Sequence, residues 1–161
     1  QLNRASVGRF GPIITLGITV GQGDRVIDNV DAGFSTNGLW IVGGTAAGRY
    51  GADYKYANVG KKTNAEAYWD ANLGAEGLYD VYAWWPQGTN RGTQVIYEVD
   101  DVVEGKVVKT FNQQTLGGQW NLIGRARMAP GRDTIKMTPY NRSPEAGQVA
   151  IADAVRLVGP L

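Results

Sequence analysis

Apolar and polar positions alternate with a period of two along several short stretches. Ala65, Ala67 and Trp69 fall on one side and Glu66, Tyr68 and Asp70 on the other. Val95, Tyr97 and Val99 alternate with Glu98, and Ile135 and Met137 flank Lys136. Such a pattern places each stretch in a strand with one buried face, so these apolar residues, Trp69 among them, are predicted core. The strands are separated by turn signals at fairly even spacing, including Asn37-Gly38, Gly43-Gly44, Pro86 to Gly92, Glu104-Gly105, Gly117-Gly118 and Pro130-Gly131. No stretch keeps a helical period. The rhythm predicts an all-β chain of the sandwich or jelly-roll kind.

The most aromatic strand is Leu78–Arg91, LYDVYAWWPQGTNR. Its alternation puts Tyr79, Val81, Ala83 and Trp85 on one face and Asp80, Tyr82 and Trp84 on the other. The charge of Asp80 marks the second face as the exposed one. Trp85 is therefore expected in the core, and Trp84 as an open aromatic platform beside Tyr82.

Composition narrows the use of such a surface. The chain has 161 residues, enough for one domain with a real core. It holds 23 glycines, about twice the usual frequency near 7%. Sixteen basic residues against fifteen acidic ones give a net charge of +1 with no basic run, which argues against nucleic acid. There is no cysteine, hence no disulfide framework or thiolate metal site, and no histidine, the usual base near neutral pH. Ser6, Ser35 and Ser143 are the only serines, and none sits in a nucleophile elbow. Catalysis would have to come from paired carboxylates, or from tyrosine and arginine as in a lyase, and a noncatalytic role is expected. The longest apolar run, Ile13 to Val20, is too short to cross a bilayer. The chain begins at Gln1, which reads as a processed product or an excerpt of a larger protein.

Five blocks taken in order carry a resemblance: VIDNVDAGFSTNGLW from Val26, then GRYGADYKY, YDVYAWWPQGTNR, FNQQTLGGQWNLIG and VAIADAVRLVG. Together they resemble the golvesin C-terminal-like domain, a module also attached to xanthan lyases and other large secreted bacterial proteins. The resemblance covers about residues 26 to 158. It implies a β-sandwich, a jelly roll of the galactose-binding-like type, used as an accessory module for carbohydrate binding or cell-surface attachment, and so a secreted or cell-surface setting. It supplies no catalytic residues. The expected organisation is an extension or linker over 1–25 and the sandwich over 26–161. Within the extension, Gly11 to Gly21 is a strand candidate, either an added edge strand or linker, or a strand that pairs with another copy to build a fibre or surface layer.

Sugars present apolar C–H faces between hydroxyl groups, so a site for them needs an aromatic platform beside amide or charged side chains. The candidates are Trp84 and Tyr82, with Asn90 and Arg91 in the following turn, Tyr54 and Tyr56 from a second aromatic group that includes Tyr50, Gln113 in the amide run Asn112 to Gln114, and Gln119 beside Trp120. Packing is the competing use: Trp40, Trp69 and Trp120 each adjoin alternating apolar positions, and Arg91 could close a turn or pair a buried carboxylate. The expected partner is a polysaccharide or cell-surface glycan, with other copies or domains of the parent protein as further partners.

Two carboxylates sit in apolar phase. Asp28 alternates with Val26 and Val30, and Asp153 with Val149, Ile151, Val155 and Leu157. A buried charge needs a partner. Backbone N–H groups or an arginine such as Arg91 or Arg156 can supply it, or Asp28, Asp31 and Asp153 can hold a structural calcium with backbone carbonyls. No other cofactor is implied. Glu98, Asp100, Asp101 and Glu104, by contrast, read as a solvated hairpin end, and Lys61 and Lys62 as a solvated turn.

Overall fold

The computed structural model describes residues 23–161. The strand candidate Gly11 to Gly21 lies outside them. Twelve strands follow in order: β1 (Arg25–Ile27), β2 (Phe34–Asn37), β3 (Ile41–Gly43), β4 (Tyr54–Asn58), β5 (Glu66–Asp70), β6 (Gly77–Trp84), β7 (Val95–Asp101), β8 (Gly105–Phe111), β9 (Asn121–Met128), β10 (Thr134–Thr138), β11 (Val149–Ala152) and β12 (Ala154–Val158). They form a four-stranded sheet β1-β12-β6-β9, a five-stranded sheet β2-β5-β10-β7-β8 and a three-stranded sheet β11-β4-β3. Every pairing between them is antiparallel. No described residue is helical. The fold is an all-β jelly-roll sandwich.

Period-two alternation decides what each sheet buries. On β6, Tyr79, Val81 and Ala83 are buried while Asp80, Tyr82 and Trp84 are half-exposed. On β7, Val95, Tyr97 and Val99 point inward, and on β10 Ile135 and Met137 do. Trp69 and Trp85 are fully buried, as their phases require. Between the layers runs a chain of rings: Phe34 meets Trp69 at 5.3 Å, Trp69 stacks on Tyr97 at 6.2 Å, Tyr97 meets Phe111 at 5.8 Å, and Phe111 meets Trp85 at 5.0 Å. Truncating a ring of this kind to alanine costs about 3–5 kcal/mol. The buried indoles keep their N–H groups bonded, Trp85 to the Thr115 carbonyl and Trp69 to that of Asp153.

The strand β9 departs from simple alternation. Val81 lies opposite Gly124 and Tyr82 opposite Leu122, so Ile123 is an extra residue on β9. The bulge resets the phase and lets both Ile123 and Ala126 reach the core.

Three expectations need correction. Asp28 is buried, but not by strand phase: β1 ends at Ile27, Asp28 opens a turn closed by the Asp31 N–H on its carbonyl, and Val30 is exposed. Asp101 is buried instead of solvated. Its carboxylate accepts the backbone N–H groups of Val103, Glu104 and Arg127, each at 2.8 Å, and so joins the β7–β8 turn to β9. Those bonds, Glu104 and Arg127 first, hold it below the usual carboxylate range. Trp120 is half-exposed and belongs to a surface ring cluster, not to the core.

Candidate functional site

The turn after Trp85 is fixed by backbone bonds before any side chain is considered. The Arg91 N–H bonds the Gly88 carbonyl, the Val149 N–H bonds the Asn90 carbonyl, and the Gly92 N–H returns to the Val149 carbonyl. The Gln114 side chain donates to the Arg91 carbonyl at 3.0 Å. Arg91 is thereby held against β11 and is 9% exposed as a residue. Its guanidinium donates through Nη1 to Asn90 Oδ1 at 2.7 Å and through Nε to the Pro86 carbonyl at 3.4 Å. Both acceptors are neutral. Among the described residues it pairs with no carboxylate, so the expected service to Asp28 or Asp153 is not the arrangement found.

This guanidinium borders a pocket of about 420 Å³, lined by Val42, Gly43, Thr45, Tyr54, Tyr56 and Asn90 among others. Positions 54 and 56 share one face of β4, which brings both tyrosines to the same side, with ring centroids 6.4 Å apart. Arg91 lies 6.0 Å over the Tyr54 ring. Gly43 is opposite Tyr54 in register, and a Cβ there would come within 2.6 Å of the ring. Only glycine lets the phenol lie across the strand and form the pocket wall. Four sequence candidates, Tyr54, Tyr56, Asn90 and Arg91, therefore meet. The opposing wall, Val42 to Thr45, was signalled in the sequence only as a Gly-Gly turn. A wider hollow of about 730 Å³ lies along residues 58–64 with Thr138 and Tyr140, but its cations, Lys61 and Lys62, are exposed and solvated as expected.

Trp84, Tyr82 and Trp120 form a separate surface on the outer face of the four-stranded sheet. The Trp84, Trp120 and Tyr50 rings make a triangle with centroid distances of 5.2, 5.4 and 5.7 Å. Trp84 Nε1 donates to the Gly48 carbonyl at 2.8 Å, which ties the 44–52 loop to β6. Arg156, paired with Asp24, lies 5.9 Å over both the Tyr82 and Trp120 rings. These rings are half-exposed, and their faces are partly taken up by one another. Gln119 is exposed, and its carbonyl accepts from Asn121. Gln113 belongs to neither surface: it is fully buried and hydrogen-bonded to Ile151.

The acidic residues gather behind Tyr50. Asp153, completely buried, accepts the Tyr50 N–H on Oδ2 at 3.0 Å, and its Oδ1 has no partner. Burial pushes its carboxyl up to about 8, and the charges of Asp28 and Asp53 add to that. Burial likewise raises Asp28. Asn29 donates to Asp53 at 2.5 Å, while its Oδ1 is also unpartnered. The donor set is all oxygen, as calcium prefers. Asp31, however, is exposed and accepts the Asp28 N–H. Among the described residues no group of three or more acidic, histidine or cysteine side chains is arranged to hold a metal ion. Asp53 and Asn29 carried no apolar-phase signal and were not foreseen.

Comparison with solved structures finds the same sandwich elsewhere. A module of a Paenibacillus xanthan lyase is 34% identical with a TM-score of 0.73, covering 84% of this chain and 13% of that one. The chain thus spans about an eighth of the lyase's length. A family 35 carbohydrate binding module from Clostridium thermocellum matches in fold at 13% identity and TM-score 0.57, covering 84% of this chain and 98% of that one. A Podospora anserina GH26-CBM35 β-(1,4)-mannanase matches at 15% and 0.58, covering 84% and 27%. Comparison with curated protein sequences gives no match. No described helix is long and apolar enough to cross a membrane. The sequence model of the Golvesin C-terminal domain matches residues 25–159, within one residue of the span its motif blocks define, and the chain belongs to that family.

Proposed function

We propose that this chain is a noncatalytic carbohydrate-binding module of a larger extracellular protein, with polysaccharide or a cell-surface glycan as its partner. The observation that carries the reading is the pocket at Arg91. It combines an open hollow, the half-exposed Tyr56 ring backed by buried Tyr54, and an amide-guanidinium fork, which are the elements a sugar's C–H faces and hydroxyls need. Its fold companions include carbohydrate binding modules, and its 34% identical relative is part of a xanthan lyase. Affinity electrophoresis through gels containing neutral and acidic polysaccharides tests it. Retardation by at least one of them, lost in a Tyr56→Ala Asn90→Ala double variant that still folds, is the expected result. Unretarded migration in every gel overturns the reading.

One observation favours assembly as a second reading. β3 is the edge of its sheet, and Ile41 and Val42, with Leu39 just before them, are exposed apolar residues there. Such an edge accepts an added strand. Sedimentation of the chain with and without residues 1–21 checks this: a concentration-dependent oligomer lost on truncation supports it, and monomers in both cases remove it.

A further inference from the structure

Arg91 poses a problem of charge. A guanidinium does not lose its proton in a protein, so burial cannot be relieved by neutralisation as it can for lysine. Taking a charge out of water is expensive unless an opposite charge or several good hydrogen bonds compensate. Two more open arginines hold carboxylates: exposed Arg125 holds Asp80 through two bonds of 2.8 and 2.9 Å, and half-exposed Arg156 holds Asp24 in the same forked manner, while half-exposed Arg25 and Arg49 donate to backbone carbonyls and keep access to water. Arg91 is more buried than any of these, yet among the described residues its partners are an amide oxygen, a distant carbonyl and the face of the Tyr54 ring, none of them a counter-charge. It is also the side chain whose backbone is pinned from three directions, so it is prepositioned on the pocket wall instead of free to seek solvent. Asn90, an exposed residue lining the pocket, spends Oδ1 on Arg91, which leaves its amide N–H groups as donors.

We infer that the pocket is built for a saccharide bearing a carboxylate, with Arg91 taking the carboxylate, Asn90 Nδ2 donating beside it, Tyr56 facing the sugar ring and buried Tyr54 backing the guanidinium. The missing counter-charge then comes from the ligand. A guanidinium and a carboxylate match as two parallel N–H to oxygen bonds, and charge-assisted bonds are roughly twice as strong as neutral ones. A pocket of 420 Å³ falls within the range of about 300–1,000 Å³ common for small-ligand sites. The inference rests on the carbohydrate-binding reading and adds the chemical class of the sugar.

The test uses the whole chain and calorimetric titration against polygalacturonate, hyaluronan and xanthan, each in native form and after chemical reduction of its carboxylates to alcohols. At least one native polymer is expected to bind ten-fold or more tightly than its reduced form. Arg91→Lys keeps the charge but loses the fork, and is expected to reduce that preference. Because Arg91 is buried, Asn90→Asp is the safer variant: the exposed side chain stays, but a carboxylate now sits at the 2.7 Å contact and satisfies Arg91 internally. Its melting temperature should rise, and its preference for the native over the reduced polymer should vanish. Equal affinity of the wild-type chain for native and reduced polymers overturns the carboxylate inference and leaves carbohydrate binding intact. No binding to any polymer in either form overturns both.

Discussion

Gln113 serves Ile151 as a neighbouring strand would: its Oε1 accepts the Ile151 N–H at 2.8 Å and its Nε2 donates to the Ile151 carbonyl at 2.9 Å. The amide also reaches the Tyr97 hydroxyl at 3.3 Å, so one buried side chain joins β11 to the ring chain of the core. Gln113→Ala leaves both backbone groups of Ile151 buried without a partner, at about 1–3 kcal/mol for each. Chemical denaturation should show a loss of roughly 2–6 kcal/mol with little change in slope. A loss under 1 kcal/mol would mean that the amide only fills space.

That residue also shows where reading the sequence stops. Gln113 lies in an amide run, Asn112 to Gln114, which by local pattern is an exposed edge fit for a ligand. Its actual partner is 38 positions away, and no periodicity encodes such a pairing. Trp69, Trp85, Tyr97 and Met137 were legible because burial on a strand follows a period of two. The pocket was half legible. Tyr54 and Tyr56 share a face by alternation, and Asn90 with Arg91 stand out by chemistry, but their meeting depends on β4 lying beside β11, which a one-chain pattern does not specify. Asp28 was placed correctly inside for the wrong reason, since a turn buries it, not a strand. Trp84 and Trp120 were separated in the sequence by 36 positions, and only the meeting of the β6 end with the 115–120 loop makes them one cluster.

Asp101 acts as a turn anchor, and its bonds to three backbone N–H groups give it an acid-sensitive signature. Its carboxyl is held below the ordinary value, so its contribution is present above about pH 4 and is lost as pH falls through the depressed value. Asp101→Asn exchanges one acceptor oxygen for a donor facing N–H groups. It should cost about 1–3 kcal/mol at pH 7 and progressively less towards pH 2. Equal loss at pH 7 and pH 2 would rule out the carboxylate's charge as the cause.

Trp84 is expected to matter more to the 44–52 loop than to ligand. Its indole N–H holds the Gly48 carbonyl, and its ring packs on Tyr50 and Trp120. Aromatic pairs contribute about 0.5–1.5 kcal/mol each beyond burial. Trp84→Ala should lower stability by about 2–3 kcal/mol and speed amide exchange at 48–52. Affinity for a polysaccharide that the pocket binds should drop less than in the Tyr56→Ala Asn90→Ala variant. A larger drop in Trp84→Ala would move the binding surface to the ring triangle.

Asp153 tilts stability the opposite way from Asp101. Its folded carboxyl is raised to about 8, against about 3.9 in an unfolded chain. Across that window the folded chain keeps a proton that the unfolded chain has released, so stability falls as pH rises, by at most about 1.4 kcal/mol per pH unit. The groups acting on it are the charges of Asp28, Asp53 and Arg49, the Tyr50 N–H, and the neutral Tyr97 hydroxyl on the core side. In chelator, the contribution of Asp153 should lower the melting temperature steadily from pH 5 to pH 8 and level off above. Asp153→Asn carries no charge to bury, and its new N–H can turn towards the carboxylates around it. It should flatten the profile and melt higher than the wild-type chain at pH 9. The calcium expectation gives the opposite result at neutral pH, because a cation held by ionised Asp153 and Asp28 would raise the wild-type melting temperature on addition, fall away with chelator, and leave Asp153→Asn unmoved. A melt unchanged by calcium, with the pH slope present, assigns the site to a protonated acid; a calcium-dependent rise without the slope assigns it to the cation.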